Sequence, residues 1–289
     1  MASYGLIEAG GTKFVLGIAD ESGTMAATHR ISTTTPGATI SEAINWFGAN
    51  AESFAAIGIG SFGPLQLDKS AVDWGHVTRT PKPHWSNTDL VGPFARAFGC
   101  PIAIETDVNA AALAESKWGA GAGCSSLLYL TIGTGIGGGF VSQGKLLHGL
   151  SHPEMGHIRM PRHPDDVEFS GCCPFHGDCL EGLASGPAII ARWGHSLSEL
   201  GAGHPGIRMI AWYIAQAMVT FQAVMEPERI VLGGGVTGTP GLIELVRDIA
   251  TVTAAGYFAG HPKDVITAPG LGEQSGLLGA LAVALSSTS

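Results

Sequence analysis

The chain has 289 residues, which at roughly 150 residues per domain predicts about two domains with ample material for a core. Its 45% hydrophobic and 13% charged residues exclude a disordered chain, and a net charge of −9, from 15 basic and 24 acidic residues, argues against a nucleic-acid partner. No apolar run reaches the ~18 residues of a membrane span, and MASYGLIEAGG lacks the basic-then-apolar pattern of a secretory signal, so no membrane partner and a cytoplasmic location are expected.

The elements begin with a meander. Strand Tyr4–Ala9 meets Gly10-Gly11-Thr12, strand Phe14–Ala19 follows, and after a DESG turn Met25–Thr34 supplies a third strand. A helix is predicted over Ile40–Phe54, with Ala43, Ile44, Phe47 and Ala51 on one stripe. Strand Ala55–Gly60, a Gly/Pro/Trp-containing stretch from Ser61 to Thr88, helix Asp89–Phe98 and strand Ile102–Glu105 come next. Asp107–Trp118 reads as an Ala-rich helix with Asp107 at or near its cap.

The opening then recurs. Strand Leu127–Ile132 meets Gly133-Thr134-Gly135, strand Gly137–Val141 follows, and SQGK makes a turn, which predicts two similar domains. A Cys/His-rich section from Leu147 to Leu180 leads to helices Pro187–Leu200 and Ile207–Met225. Strand Arg229–Leu232 runs into Gly233-Gly234-Gly235, and helix Gly241–Ala255, strand Asp264–Thr267 and helix Glu273–Leu285 follow. This alternation argues for an α/β fold.

Three Gly-rich turns each follow a strand: Gly10–Lys13, Gly133–Gly139 and Gly233–Gly235. Such turns let consecutive N–H groups point at one anion, with Thr12, Thr131 and Thr134 adding hydroxyl donors and Lys13 adding charge. An ordinary hairpin is the plain alternative for any one of them, but three together favour a nucleotide site. Neither a Walker A motif nor a GxGxxG opening a helix is present. Asp107, at a strand–helix junction, has the placement to accept a proton from a substrate hydroxyl; a plain N-cap is its alternative. His157 and the Cys173–His176–Cys179 spacing supply four ligands of the kind zinc prefers, with a closed and therefore structural site expected. Cys172 is an alternative ligand. His163 is expected to face solvent, and Cys100 and Cys124 to be ordinary buried cysteines. Glu154 and Glu181, flanking this loop, have carboxylates suited to vicinal sugar hydroxyls or are solvated surface charges.

In order along the chain, Gly10-Gly11-Thr12-Lys13, ETDVN at Glu105–Asn109, TIGTGIGGG at Thr131–Gly139, EMGH at Glu154–His157, the Cys/His cluster ending Cys179-Leu180-Glu181, and LGGGV at Leu232–Val236 resemble the ROK family of repressors, open-reading-frame products and sugar kinases. The resemblance covers essentially the whole chain, and the EMGH element with its Cys/His cluster is its most specific part. The bacterial fructokinase branch, with its IEAGGTK opening and CPxHGDC loop, is the most similar. The resemblance implies an actin-like, ribonuclease H-like fold: two similar domains around a central cleft, here residues 1–107 plus 273–289, and 108–272 carrying a zinc-binding insertion. It implies that Gly10–Lys13 and Gly133–Gly135 hold the ATP phosphates, that Gly233–Gly235 and the helix start at Pro187 lie by the adenosine, and that Asp107 is the base. Gly63 in a loop over the sugar, Thr106, Glu154, His157 and Glu181 are the implied sugar-side residues. His157, Cys173, His176 and Cys179 are the implied zinc ligands, and Mg²⁺ and a homodimer are implied as well.

Two positions depart from the family's glucokinase pattern and agree with its fructokinase branch. Glu8 stands where Asp usually lies near the magnesium, and Thr106 stands where Asn usually contacts the sugar. His176 replaces a third Cys in the metal loop. The expectation is an ATP- and Mg²⁺-dependent fructokinase with a structural Zn²⁺. Its rivals are a kinase for mannose, glucose or N-acetylmannosamine, a non-catalytic sugar sensor, and a zinc hydrolase.

Overall fold

The computed structural model describes residues 2–80 and 82–287. In chain order the strands are β1 Tyr4–Ala9, β2 Lys13–Ala19, β3 Met25–Ser32, β4 Ala56–Ser61, β5 His76–Val77, β6 Thr88–Asp89, β7 Ile102–Thr106, β8 Ser126–Ile132, β9 Ile136–Ser142, β10 Lys145–Leu146, β11 Arg229–Gly233 and β12 Ile266–Thr267. The helices are α1 Pro36–Asn50, α2 Gly92–Phe98, α3 Asp107–Trp118, α4 Leu180–Ala184, α5 Gly186–Trp193, α6 Pro205–Met225, α7 Leu242–Ala254, α8 Pro262–Val265 and α9 Ser275–Ser286. No helix among the described residues is long and apolar enough to cross a membrane.

Two compact units result. The first takes the chain through Lys117, Leu146–His152 and the residues from Leu271 onward; the second takes Trp118–Lys145 and Pro153–Gly270. Helix α3 therefore goes with the first unit, where a boundary after 107 assigns it to the second. Residues 146–152 join the first unit although their chain neighbours lie in the second.

The sheet of the first unit has the order β3-β2-β1-β4-β7, and that of the second β10-β9-β8-β11-β12. In each, an antiparallel hairpin (β1–β2 or β8–β9) is followed by two parallel additions (β4 and β7, or β11 and β12). This is the internal repeat legible in the two Gly-rich hairpins, and it gives the mixed α/β, ribonuclease H-like architecture.

The central strands carry near-continuous apolar residues because helices cover the sheet. One core gathers Ile7, Phe14, Leu16, Phe47, Ile57, Ile59 and Trp85; the other gathers Leu128, Leu130, Leu180, Leu183, Ile214, Phe221 and Leu232. Gly58 shows how closely α9 packs on β4: a Cβ there would lie 1.8 Å from the Ala280 carbonyl oxygen, so only glycine fits.

Four elements differ from expectation for local reasons. Helix α1 starts earlier, at Pro36, whose fixed φ suits a first turn. Helix α2 starts at Gly92, not Asp89, because Asp89 pairs in β6 and its Oδ1 accepts the Gly92 N–H at 2.7 Å. Helix α5 ends at Trp193 rather than Leu200, since Gly194 adopts a left-handed φ of 76°. The predicted strand from Asp264 is a helical turn before β12, begun by Pro262 and by the Lys263 N–H donating to His261 Nδ1 at 3.2 Å.

Candidate active site

In the first unit, β1 and β2 are joined by Gly10-Gly11-Thr12, and the Gly10 N–H closes the turn on the Lys13 carbonyl at 3.0 Å. Gly11 is half-buried, and Thr12 and Lys13 are exposed at the tip. Just before this turn sits Glu8. Burial raises its pKa above the ordinary carboxylate value, and the charges of Lys13 and Arg30 oppose the rise. Its carboxylate lies against Gly276 in the first turn of α9.

β7 delivers Glu105, Thr106 and Asp107 to the same edge. Thr106, not Asp107, caps α3: it is buried, and its Oγ1 accepts the Asn109 N–H at 3.2 Å. The side chain of Asp107 is thereby left free at the head of the helix. Its Oδ1 accepts the adjacent Val108 N–H at 2.9 Å. Asp107 has substantial solvent-exposed surface, yet protein atoms crowd its carboxylate; this burial pushes its pKa up to about 6, against the pull of the Val108 N–H and with a further push from Glu8. A group tuned towards neutrality in this way is suited to exchanging protons.

Glu105 is turned to a structural task that the sequence did not announce. Its carboxylate accepts the Asn109 Nδ2 at 2.9 Å and pairs with His148 Nε2 at 2.7 Å. This pairing raises the His148 pKa and helps hold residues 146–152 on the first unit. Gly63, in the loop after β4, has His152 of the same segment beside it, 3.9 Å from where a Cβ would sit.

In the second unit, three of the predicted nucleotide elements converge on the end of β8. The Gly133–Gly135 turn closes through the Gly133 N–H on the Gly135 carbonyl at 2.9 Å. The Gly133 carbonyl accepts the N–H of Gly186 at 2.7 Å, so the start of α5 with Pro187 is tied to this hairpin. The Val236 N–H donates to the Ile132 carbonyl at 3.0 Å and brings Gly233–Gly235 to the same place. Thr134 and Gly135 are exposed, and Thr131 is half-buried.

The Cys/His section builds a single cluster beside it. One atom each of His157, Cys173, His176 and Cys179 lies within 4.8 Å of all the others. Nδ1 of His157 is 3.7 Å from Cys173 Sγ, 3.5 Å from Cys179 Sγ and 3.2 Å from His176 Nδ1, and Cys173 Sγ is 3.7 Å from His176 Nδ1. A tetrahedral zinc with S and N ligands requires edges of about 3.6 Å for S···N and about 3.3 Å for N···N. The donor set and its spacing therefore fit zinc. Cys172 is exposed and outside the cluster. Cys100 and Cys124 are half-buried rather than buried, and half-buried His163 packs edge-on against Trp212 at 5.1 Å instead of facing solvent.

EMGH and the loop are placed by close packing. A Cβ at Gly156 would stand 2.0 Å from the Ile136 carbonyl oxygen, so the 3₁₀ turn Met155–His157 rests directly on β9. His157 turns Nδ1 into the cluster, with Nε2 4.0 Å from the half-exposed Glu154 carboxylate. Glu181, in the first turn of α4 and two residues after Cys179, reaches back to accept the Ile136 N–H at 2.9 Å.

A buried ion pair with no local signature anchors the section from behind. Arg192 holds both oxygens of Asp166, at 2.9 and 2.7 Å, and the Tyr213 hydroxyl donates to Oδ2 at 2.8 Å. Burial works against the Asp166 charge, but Arg192, Tyr213 and Arg162 outweigh it and hold the carboxyl below its ordinary range. Tyr213 is pushed up to about 12, chiefly by burial.

The sequence profile of the ROK family matches residues 4–287. This chain belongs to the ROK family. Among ROK proteins it is 51% identical to a fructokinase of Zymomonas mobilis, over 98% of this chain and 96% of that protein. It is 40% identical to a fructokinase of Streptococcus mutans, over 97% of both. Of solved ROK structures, the hexokinase of Thermus thermophilus superposes with a TM-score of 0.81 at 28% identity, covering 99% of each chain. The ROK glucokinase of Streptomyces griseus, solved with glucose and AMPPNP, does so with a TM-score of 0.77 at 26% identity, covering 99% of this chain and all (100%) of the other.

Proposed function

We propose that this protein is an ATP- and Mg²⁺-dependent fructokinase that phosphorylates D-fructose to fructose 6-phosphate. The observation that carries the reading is its 51% identity, over nearly the full length, to a fructokinase. The placement of Asp107 supports it: an otherwise uncommitted carboxylate, at the head of a capped helix, with its pKa raised.

In this reading Asp107 accepts the proton of the C6 hydroxyl as the oxygen attacks the γ-phosphorus of ATP, and ADP leaves. Gly10, Gly11, Thr12 and Lys13, with Thr131, Gly133, Thr134 and Gly135, neutralise phosphate charge through backbone N–H groups, hydroxyls and one ammonium. Pro187 and Gly233–Gly235 lie along the nucleoside. Gly63, Thr106, Glu154, His157 and Glu181 are the sugar-side residues, and Thr106 serves by setting the helix that carries Asp107. Mg²⁺, when bound with ATP, offsets the charge of its phosphates; Glu8 offers the hard carboxylate oxygen such an ion takes. Zn²⁺ on His157, Cys173, His176 and Cys179 has a structural task, since four protein ligands leave no position for a hydrolytic water. A cytoplasmic location agrees with the use of ATP, and a homodimer is part of the proposal.

An ADP-release assay with ATP, Mg²⁺ and a panel of fructose, mannose, glucose and N-acetylmannosamine tests it, run beside Asp107→Ala. Turnover that is highest on fructose and lost in the variant is the expected result. A preference for another sugar would replace the substrate. No turnover on any sugar with ATP still bound would move the protein to the sugar-sensing class.

A further inference from the structure

The Gly10–Lys13 hairpin is held from behind by two residues that the reaction scheme leaves unused. Thr33 Oγ1 donates to the Gly10 carbonyl at 2.7 Å, and the Thr33 N–H donates to the Thr12 carbonyl at 3.0 Å. The carbonyl between them, that of Gly11, accepts the ammonium of Lys82, a residue 71 positions away in the stretch between β4 and α2. Three consecutive carbonyls are thus engaged by protein donors.

In a trans peptide the C=O and the next residue's N–H point in opposite directions. Pinning the carbonyls of Gly10, Gly11 and Thr12 therefore turns the N–H groups of Gly11, Thr12 and Lys13 the other way. Neither the Gly11 nor the Thr12 N–H has a protein partner among the described residues. Consecutive backbone N–H groups that no protein acceptor takes are the donors from which an anion-binding turn is made. The central peptide is the one Lys82 controls, and a cation on its carbonyl also polarises that peptide, which strengthens the Thr12 N–H as a donor.

Lys82 is itself held firmly. Trp85, three residues on, is fully buried, with its ring 5.5 Å from both Phe14 and Phe62. Its Nε1 donates to the Thr34 carbonyl at 2.8 Å, so the loop carrying Lys82 is latched to the residue next to Thr33. The two pins belong to one interlocked flank of the hairpin.

We propose that Lys82 is a positioning residue: it fixes the Gly11–Thr12 peptide so that the hairpin presents its N–H groups to the terminal phosphates of the nucleotide. The inference rests on the proposed phosphate role of this hairpin. It separates Lys82 from Lys13, whose ammonium projects from the tip.

The test compares wild type, Lys82→Met, Lys82→Arg and Thr33→Val. Binding of AMPPNP and of AMP is measured by calorimetry, beside kcat, KM for fructose and thermal melting. For Lys82→Met we expect AMPPNP affinity and kcat to fall by about tenfold or more, the loss of one charge-assisted contact, while AMP affinity and KM for fructose stay within about twofold. Lys82→Arg should recover most of the loss, and Thr33→Val should show the same pattern more weakly. Lys82→Met with AMPPNP affinity and kcat near wild type would overturn the proposal. So would an equal loss of AMP, AMPPNP and fructose binding with a lowered melting point, which marks a merely structural lysine. Wild-type protein that binds neither nucleotide would instead overturn the phosphate reading itself, and the positioning role with it.

Discussion

The Glu181 carboxylate accepts the N–H of Ile136 at 2.9 Å, joining the helix that follows the Cys/His cluster to the strand that leaves the Gly133–Gly135 hairpin. Cys179 lies two residues before Glu181, so whatever fixes Cys179 also fixes this bond. Removing the metal should therefore reach the nucleotide as well as the sugar. Chelation, or Cys179→Ala, is expected to lower the melting temperature by more than about 5 °C and to raise KM for both ATP and fructose. Metal analysis should find zinc bound to each chain, and a cobalt-substituted sample should show the spectrum of a closed tetrahedral S2N2 site. Full activity and an unchanged melting curve after verified metal loss would refute the structural role.

Asp107→Asn should reduce kcat by about 10³-fold or more while leaving AMPPNP affinity near wild type, because it removes the base and keeps the cap and the shape. In the wild-type protein kcat/KM should climb with pH and level off above about 6, the value at which Asp107 loses its proton. The stability effect runs the opposite way. The folded pKa lies above the ordinary 3.8, so the folded state holds the proton more tightly, and stability falls as pH rises between about 4 and 6. Melting curves of wild type and Asp107→Asn at pH 4.5 and 7.5 read this: the variant should gain relative to wild type at the higher pH. A flat kcat/KM profile across this range would remove Asp107 from the role.

Gly156→Ala should be among the most damaging small substitutions. Its Cβ would stand 2.0 Å from the Ile136 carbonyl oxygen, so the turn carrying Glu154 and His157 must lift from β9. A loss of about 1–3 kcal/mol in unfolding free energy is expected, with activity falling further than stability alone explains. Denaturant unfolding and kinetics on one preparation decide it; a variant with unchanged stability would show that the turn is free to move.

Arg192→Met leaves the buried Asp166 carboxylate without its bidentate partner and should cost about 3–5 kcal/mol. The Asp166 pKa is depressed, so its contribution is present at neutral pH and lost as pH falls below the ordinary carboxylate value of 3.8. Acid unfolding of wild type should therefore steepen below pH 4, and the variant should lose much of that dependence. Equal acid sensitivity in both would show that other carboxylates govern the transition.

Much of this architecture could be read from local pattern. Tyr4–Ala9 and Leu127–Ile132 announce themselves by apolar continuity ended by glycine, and their repetition gives the paired sheets. The His157, Cys173, His176 and Cys179 set is legible because its chemistry is rare and its spacing regular. Residues whose meaning comes from a distant partner escaped. Lys82 finds Gly11 across 71 positions, and Arg192 finds Asp166 across 26, with nothing in either neighbourhood to mark the match. The cap of α3 is legible only to within a residue: Thr and Asp are both good caps, and only the backbone decides that Thr106 takes the Asn109 N–H and leaves Asp107 at the head of the helix.

The packing of α9 on Gly58 also has a consequence for biosynthesis. The first unit is built from the earliest strands made and from a helix, Ser275–Ser286, made some two hundred residues later. While the ribosome is still synthesising the second unit, β1 and β4 have one face uncovered. The second unit can reach its native form before the first has all its parts. Chaperone demand during translation should accordingly fall on the N-terminal sheet, and nascent chains arrested before Ser275 should bind hydrophobic probes that the full-length protein does not.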